Sequence, residues 1–388
     1  MKQRRLDLRR IRRSRGPLGH VVRAGSPRPW VLEKTRTLAP ASKQTSAIVN
    51  LPRMRTSHAR RAATVARYAA RMKAATDITE LVGNTPLLRL GRLCPDREVY
   101  AKCEFMNPLS VKDRPVLQIV TDAESDGRLQ PGATLIEATS GNTGMAVAQI
   151  AAIRGYRAVL VMSEIQSLER RRVLAALGAE LVLTPAAEGT KGAKRRLDGL
   201  CREHPDWFYV GQHQNPSNPR AHYATTGPEL WRDTDGTIDV LIAGLGTGGT
   251  ICGAGRYLKE QNPAVHLVGV EPREAPFISR GEFKPHRIMG TAPGFVPETL
   301  DRDFIDEIIL VSEEQSFDMA RRMAQTEGVL VGISSGATAH AAVEIANRPG
   351  NEESVVVCVL ADSGERYLSV DGLFAKPPST AAGGHARG

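Results

Sequence analysis

Three short segments carry residue types whose spacing could do chemistry. The first is Thr139-Ser140-Gly141-Asn142-Thr143-Gly144, between the apolar run Thr134–Ile136 and the apolar stretch Met145–Ile153. Hydroxyl, amide and glycine residues at a strand-to-helix turn leave backbone N–H groups free at a helix N-terminus. That suits an anion, most simply a substrate carboxylate, although ordinary helix caps use the same residues. The second segment is Gly244-Leu245-Gly246-Thr247-Gly248-Gly249-Thr250, directly after the run Asp239–Ala243. Backbone without Cβ curls closely around a phosphate, and two threonine hydroxyls add donors. The same turn satisfies GxGxxG at Gly244, Gly246 and Gly249, with Glu271 ending the next apolar run 22 residues after Gly249. That is the pattern of a dinucleotide site with its ribose-binding acid. On this turn alone, a nicotinamide enzyme and a simple phosphate cradle stand level.

Lys112 is the third signal. It lies in Asn107-Pro108-Leu109-Ser110-Val111-Lys112-Asp113-Arg114, after the apolar-led segment Val99–Cys103 and before the helical run Val116–Val120. An isolated Lys-Asp pair is usually solvated surface. A lysine opening a helix, however, opposes the positive end of the helix dipole, which favours the neutral amine that forms Schiff bases. A phosphate cradle, a carboxylate site and an imine-forming lysine together describe pyridoxal phosphate chemistry; a dehydrogenase accounts for one of the three.

These segments need a scaffold, and the pattern from Asp77 onward supplies one. Apolar runs at Tyr156–Met162, Glu180–Leu183, Asp239–Ala243, His266–Glu271, Val329–Ile333 and Ser354–Leu360 predict strands. Between them, helices are expected over Leu168–Leu177, near Lys191–Cys201, after Thr250, over Glu313–Gln325 and over Ala337–Ala346, with Ser312 and Gln315 spaced as a capping box. Strands without strict alternation, separated by amphipathic helices, indicate parallel sheet covered on both faces. The expected fold is α/β, with two doubly wound, mostly parallel sheets.

Composition narrows the partners. The 388 residues carry a net charge of +10, but residues 1–76 hold 20 Lys/Arg against Asp7 and Glu33, and the remaining 312 residues are net −8. A mildly acidic body is not the footprint of a nucleic-acid-binding domain. Residues 1–50 read as disordered, and 57–75 as a basic amphipathic helix with Val65, Tyr68 and Met72 on one face. This basic extension has three readings. It is a solvated tail, with Met54 or Met72 nearer the start, an organelle transit peptide, or a surface that touches anionic lipid, nucleic acid or a partner; the cytoplasm is the default location. Five scattered cysteines (Cys94, Cys103, Cys201, Cys252, Cys358) form no CxxC pair and predict neither a disulfide scaffold nor a metal site. No run approaches the ~18 apolar residues of a membrane span.

The chain from about Ile78 to Phe374 resembles the cysteine synthases (O-acetylserine sulfhydrylases) and cystathionine β-synthases, fold type II pyridoxal-phosphate enzymes. Six ordered motifs carry the likeness: Leu81–Leu87, Ser110–Arg114, Thr139–Gly144, Gly246–Thr250, Gly332–Gly336 and Asp362–Ser369. The resemblance implies that Lys112 binds the cofactor covalently and moves the Cα proton. Gly246, Thr247, Gly248, Gly249 and Thr250 would hold the phosphate, Asn142 the ring 3′-oxygen, and Ser334 the ring nitrogen. Thr139, Ser140, Gly141, Thr143 and Gln212 would take the substrate carboxylate. The implied reaction is β-replacement on an activated L-serine (O-acetylserine or O-phosphoserine) by sulfide or thiosulfate. A homocysteine-using synthase is the alternative, and a NAD-linked dehydrogenase a distant one.

The resemblance further implies a homodimer, with a serine acetyltransferase or sulfur-carrier protein as partner. It implies a smaller domain at 109–219, a larger one from 77–108 plus 220–374, and a flexible tail at 375–388. The ending Ser363–Ser369 favours the cysteine synthases over the homocysteine-using enzymes. Three departures stand out. The loop between Asn107 and Val111 is one residue short, Met162–Ser167 differs from the usual flap, and Arg280 stands where a glycine is common. Arg280 is expected to draw a doubly charged group, such as a phosphate leaving group or thiosulfate. His213, His222 and His286 are read as structural.

Overall fold

Every second residue of the central strands belongs to a different core, and that alternation builds the architecture. The computed structural model describes residues 74–374 apart from 140, 165 and 167. The expected tail, the 57–75 helix (all but its last two residues), Ser140 and the 375–388 tail therefore lie outside the described residues.

A six-stranded sheet is formed by β1 (Leu87–Arg89), β2 (Val99–Lys102), β7 (Ile238–Gly244), β8 (His266–Pro272), β9 (Glu307–Val311) and β10 (Val355–Val359), in the order β1-β2-β10-β7-β8-β9. Only β1 runs antiparallel to its neighbour. Along β7, Val240 and Ile242 enter one core with Val268, Val356 and Cys358, while Leu241 and Ala243 enter the other with Leu267, Val357 and Val359. The first face is covered by α10 (Ile333–Ala346) and the second by α7 (Gly249–Gln261). A strand buried on both faces reads as a continuous apolar run, which is why these segments showed no polar alternation.

The second sheet follows the same rule. It contains β3 (Thr134–Ala138), β4 (Arg157–Ser163), β5 (Glu180–Thr184) and β6 (Phe208–Tyr209), all parallel, in the order β5-β4-β3-β6. Leu135, Leu160 and Met162 pack with α1 (Asp113–Ser125) and α2 (Asn142–Arg154). Ile136, Val159 and Val161 pack with Ala193, Leu197 and Leu200 of α4 (Gly189–Glu203). The remaining helices are α3 (Leu168–Ala176), α5 (Ser217–Ala221), α6 (Gly227–Asp233), α8 (Phe277–Arg280) and α9 (Glu313–Arg322). Two mostly parallel sheets, each covered on both faces, agree with the expected fold class.

The Ser312 capping box forms as expected: Ser312 Oγ accepts from Gln315 N–H at 3.2 Å, and Gln315 Oε1 accepts from Ser312 N–H at 2.9 Å. One strand expectation fails. Val329–Ile333 makes a single bridge, Val331 to Ser363, and Ile333 already opens α10. The cause is Gly332, where the chain turns against Asp362 so closely that a Cβ would stand 2.0 Å from Asp362 Oδ1. No described helix is long and apolar enough to cross a membrane.

Candidate functional site

The carboxyl ends of β7 and β10 open onto one cavity, the position at which parallel α/β sheets hold ligands. Its lining brings together Lys112, Gly246, Thr247, Gly248, Thr250 and Ser334, six of the residues singled out in the sequence. Lys112 is the N-cap of α1 and is half-buried. Its amine has no hydrogen-bond or ion-pair partner among the described residues. Burial drives its pKa below the usual lysine value, opposed by the charges of Asp362 and Glu104. An ammonium without a neighbouring counter-ion gives up its proton more readily, which is the state a Schiff-base nucleophile needs.

The glycine loop is shaped by close approach. Gly248 has φ +79°, in the left-handed region, as the N-cap of α7. A Cβ on Gly246 would stand 2.2 Å from the Gly290 carbonyl oxygen, and one on Gly249 would stand 1.9 Å from Asn218 Oδ1. The amides of Thr247, Gly248, Thr250 and Ile251 find no acceptor among the described residues, while Gly249 N–H donates to Thr247 Oγ1 at 3.3 Å. Free N–H groups at a helix N-terminus, in a turn that only glycine can make, are what a phosphate group requires.

Two side chains hold this loop: Asn218, which the sequence reading missed, and His222, which it read as structural. Asn218, buried, donates to Thr247 Oγ1 at 3.0 Å and to the Gln212 carbonyl at 2.7 Å. His222 meets Thr226 Oγ1 at 2.9 Å through Nδ1 and Thr250 Oγ1 at 3.2 Å through Nε2. Burial pushes its pKa down to about 3, so it stands neutral. In the structure His222 opens the π-helical turn His222–Thr226 between α5 and α6, a feature that often marks functional sites. Neither residue carried a signal of this role in the sequence.

No described residue of the Thr139–Gly144 turn lines this cavity; Thr143 is linked to the lining residue Thr247 through Gln212 and Asn218. Thr143 Oγ1 donates to Gln212 Oε1 at 2.6 Å, pairing two of the expected carboxylate ligands. Gln212 N–H in turn donates to Glu137 Oε2 at 3.1 Å, and burial pushes that carboxyl up to about 7. Thr139 Oγ1 accepts from Gly141 N–H at 3.3 Å, and Gly141 is the N-cap of α2. Asn142 donates through Nδ2 to Asp362 Oδ2 at 2.8 Å and accepts through Oδ1 from Arg366 at 2.9 Å.

The short loop before Lys112 is fastened throughout. Asp113 Oδ2 accepts from Leu109 and Ser110 N–H at 2.7 and 3.1 Å, Val111 N–H donates to Ala361, and Arg366 donates to the Leu109 carbonyl at 2.6 Å.

One expectation is not met by this geometry. Glu271 is not available to a ribose: its oxygens accept from Ile278 N–H at 2.6 Å and Ser279 N–H at 3.0 Å, which caps α8. Buried completely, it anchors the chain after β8, and the dinucleotide reading of the glycine turn loses its second element. Arg280, the last residue of α8, is exposed, has no side-chain partner among the described residues and does not line the cavity.

Comparison with known proteins agrees with this site. Residues 78–362 match the family described as "Pyridoxal-phosphate dependent enzyme". A cysteine synthase of Staphylococcus aureus is 46% identical over 301 residues, covering 76% of this chain and 96% of that protein. An O-ureido-L-serine synthase structure is similar with TM-score 0.75 and 43% identity, covering 79% of this chain and 98% of the other. A cysteine synthase structure from Entamoeba histolytica gives TM-score 0.75 at 36% identity, covering 87% and 96%. With a lone amine, a glycine cradle and free helix-terminal amides that fit the cofactor, this chain belongs to the pyridoxal-phosphate-dependent enzymes.

Proposed function

We propose that the protein catalyses β-replacement on an activated L-serine, exchanging its β-substituent for a sulfur nucleophile. The observation that carries this is the unpaired Lys112 amine sharing one cavity with the Gly246–Thr250 cradle and the Ser334 hydroxyl. Thr247, Gly248 and Thr250 would hold the cofactor phosphate through their free amides, and Ser334 would take the ring nitrogen. When bound, the cofactor supplies an electron sink for charge developing at the substrate Cα. A hydroxyl at Ser334, in place of a carboxylate, leaves the ring nitrogen unprotonated. That weaker sink would suit a reaction in which a β-leaving group takes the electron pair.

Thr143 and Gln212 already form a hydrogen-bonded pair and would orient the substrate carboxylate without further ordering. Lys112 removes the Cα proton as the β-substituent departs with its bonding electrons. After sulfur has bonded to Cβ, Lys112 returns that proton to Cα. Borohydride reduction followed by peptide mapping should place a pyridoxyl group on Lys112. The enzyme before reduction, given sulfide, should form cysteine from O-acetylserine or O-phosphoserine faster than it forms a thioether from homocysteine. No adduct on Lys112 would reject the assignment.

Gly246→Ala should weaken cofactor binding by about a hundredfold, since the added methyl meets a backbone carbonyl that cannot rotate away. An absorption titration with pyridoxal phosphate reads this directly. Arg280 is assigned here to donor or acceptor choice. Arg280→Ala should lower kcat/KM for O-phosphoserine relative to O-acetylserine about tenfold. An unchanged ratio, together with an unchanged preference between sulfide and thiosulfate, would reject that role. On the resemblance alone we also assign a homodimer, domain boundaries at 109–219 and 77–108 plus 220–374, a serine acetyltransferase or sulfur-carrier partner, and a cytoplasmic location; light scattering checks the first of these.

A further inference from the structure

The side chain of Asn142 is gripped at both ends by residues more than two hundred positions later in the chain. Its Nδ2 donates to Asp362 Oδ2 at 2.8 Å, and its Oδ1 accepts from Arg366 Nη1 at 2.9 Å. The grip is itself fixed. Asp362 is buried, and the same Oδ2 accepts from Tyr367 Oη at 2.5 Å. The second guanidinium nitrogen of Arg366 donates to the Leu109 carbonyl at 2.6 Å, three residues before Lys112. Asp362 directly follows Ala361, which lines the cavity beside Lys112.

The chemistry of the partners removes the usual ambiguity of an amide. A carboxylate only accepts and a guanidinium only donates. A flipped Asn142 would set its carbonyl oxygen against Asp362 and its NH2 against Arg366, replacing two charge-assisted hydrogen bonds by two repulsive contacts. One orientation is therefore enforced. In it, the oxygen and one N–H are consumed by protein, and the second N–H remains uncommitted among the described residues.

We propose that Asp362 and Arg366 are positioning residues that lock the Asn142 amide in the orientation that leaves one N–H to donate to the cofactor's 3′-oxygen. This rests on the proposed function and on the place beside the ring 3′-oxygen that the resemblance implies for Asn142. Asp362 and Arg366 touch neither substrate nor cofactor in this scheme; they act through Asn142. The bond from Arg366 to Leu109 adds that the loop presenting Lys112 and the helix presenting Asn142 share one anchor.

A double-mutant cycle on the cofactor-loaded full chain tests this, read as the dissociation constant of pyridoxal phosphate and the position of its visible absorption band. Arg366→Met should raise the dissociation constant about tenfold and move the band. In an Asn142→Ala background the same substitution should change the constant by no more than about threefold, because only the bond to the Leu109 carbonyl is then left to lose. Asp362→Ala should follow the same pattern. Equal weakening in both backgrounds would overturn the proposal, as would an Arg366→Met or Asn142→Ala protein that binds cofactor as tightly as the wild type.

Urea midpoints identify any variant that fails to fold. If Arg366→Met does so, Arg366→Lys takes its place under the same criteria, since an ammonium cannot span both Asn142 and Leu109. A wild-type chain that formed no Lys112 adduct would instead defeat the proposed function, so the two failures are distinguishable.

Discussion

Replacing Lys112 with alanine should lower kcat/KM for cysteine formation by about ten-thousandfold, because on the proposed function it removes both the amine that binds the cofactor and the base that moves the Cα proton. Borohydride treatment of that variant should leave no pyridoxyl peptide. The alternative nucleophile is Lys102, and its surroundings disqualify it. Its ammonium is fully buried but lies 2.8 Å from Glu229 and donates to the Thr85 carbonyl at 2.6 Å, so its charge is satisfied where it stands. Lys112 is half-buried and its amine has no such partner among the described residues. Recovery of the adduct on Lys102 in the Lys112→Ala protein would show that pairing does not decide which amine reacts.

The second large effect concerns stability. Beneath Lys112, Arg114 donates to Glu104 at 2.6 and 2.7 Å and to Glu229 at 2.7 Å through two nitrogens, and Lys102 closes the cluster against Glu229. All four side chains are buried. The cluster also fixes the Leu81–Leu87 segment: Asn84 N–H donates to Glu229, and Thr85 Oγ1 donates to Glu104. Arg114→Met should therefore cost about 3–5 kcal/mol, since it leaves two buried carboxylates facing a single ammonium. The urea midpoint of unfolding measures it; a shift equivalent to less than about 1 kcal/mol would mean that the carboxylates find other partners.

The cluster also sets a pH dependence. Burial alone would raise the Glu229 carboxyl, but Arg114 and Lys102 outweigh it and hold the group at about 2, below its ordinary 4.5. A lowered carboxyl pKa means that the unfolded chain binds the proton first. The stabilisation is therefore complete above about pH 4.5 and is lost as pH falls towards 2. In Arg114→Met this acid limb should flatten, and parallel pH–stability curves for the two proteins would contradict the assignment.

Much of this was legible in the sequence, and the reason is locality. The double burial of β4, β7 and β8 produces continuous apolar runs, the capping box is a four-residue signal, and the glycine loop is a turn whose geometry glycine itself dictates. Lys112 announced itself by opening a helix. What stayed hidden depends on distance along the chain. Arg114 finds Glu229 across 115 positions, and Asn142 finds Asp362 across 220. No periodicity links such pairs. Gly332 misled because a short apolar run looks the same whether it continues a strand or turns into a helix, and only Asp362 packed against it decides. Glu271 misled for the complementary reason. Its spacing suited a ribose, but α8 consumes both of its oxygens.

Asn218 carries a consequence for how such an enzyme can change. One amide suspends both the Gln212 backbone and the Thr247 hydroxyl, so the proposed cofactor seat and the proposed substrate grip share a single hinge pin. A lineage cannot retune one at this position without disturbing the other. Laboratory evolution towards new amino-acid donors should accumulate changes along 139–143 and leave residue 218 alone.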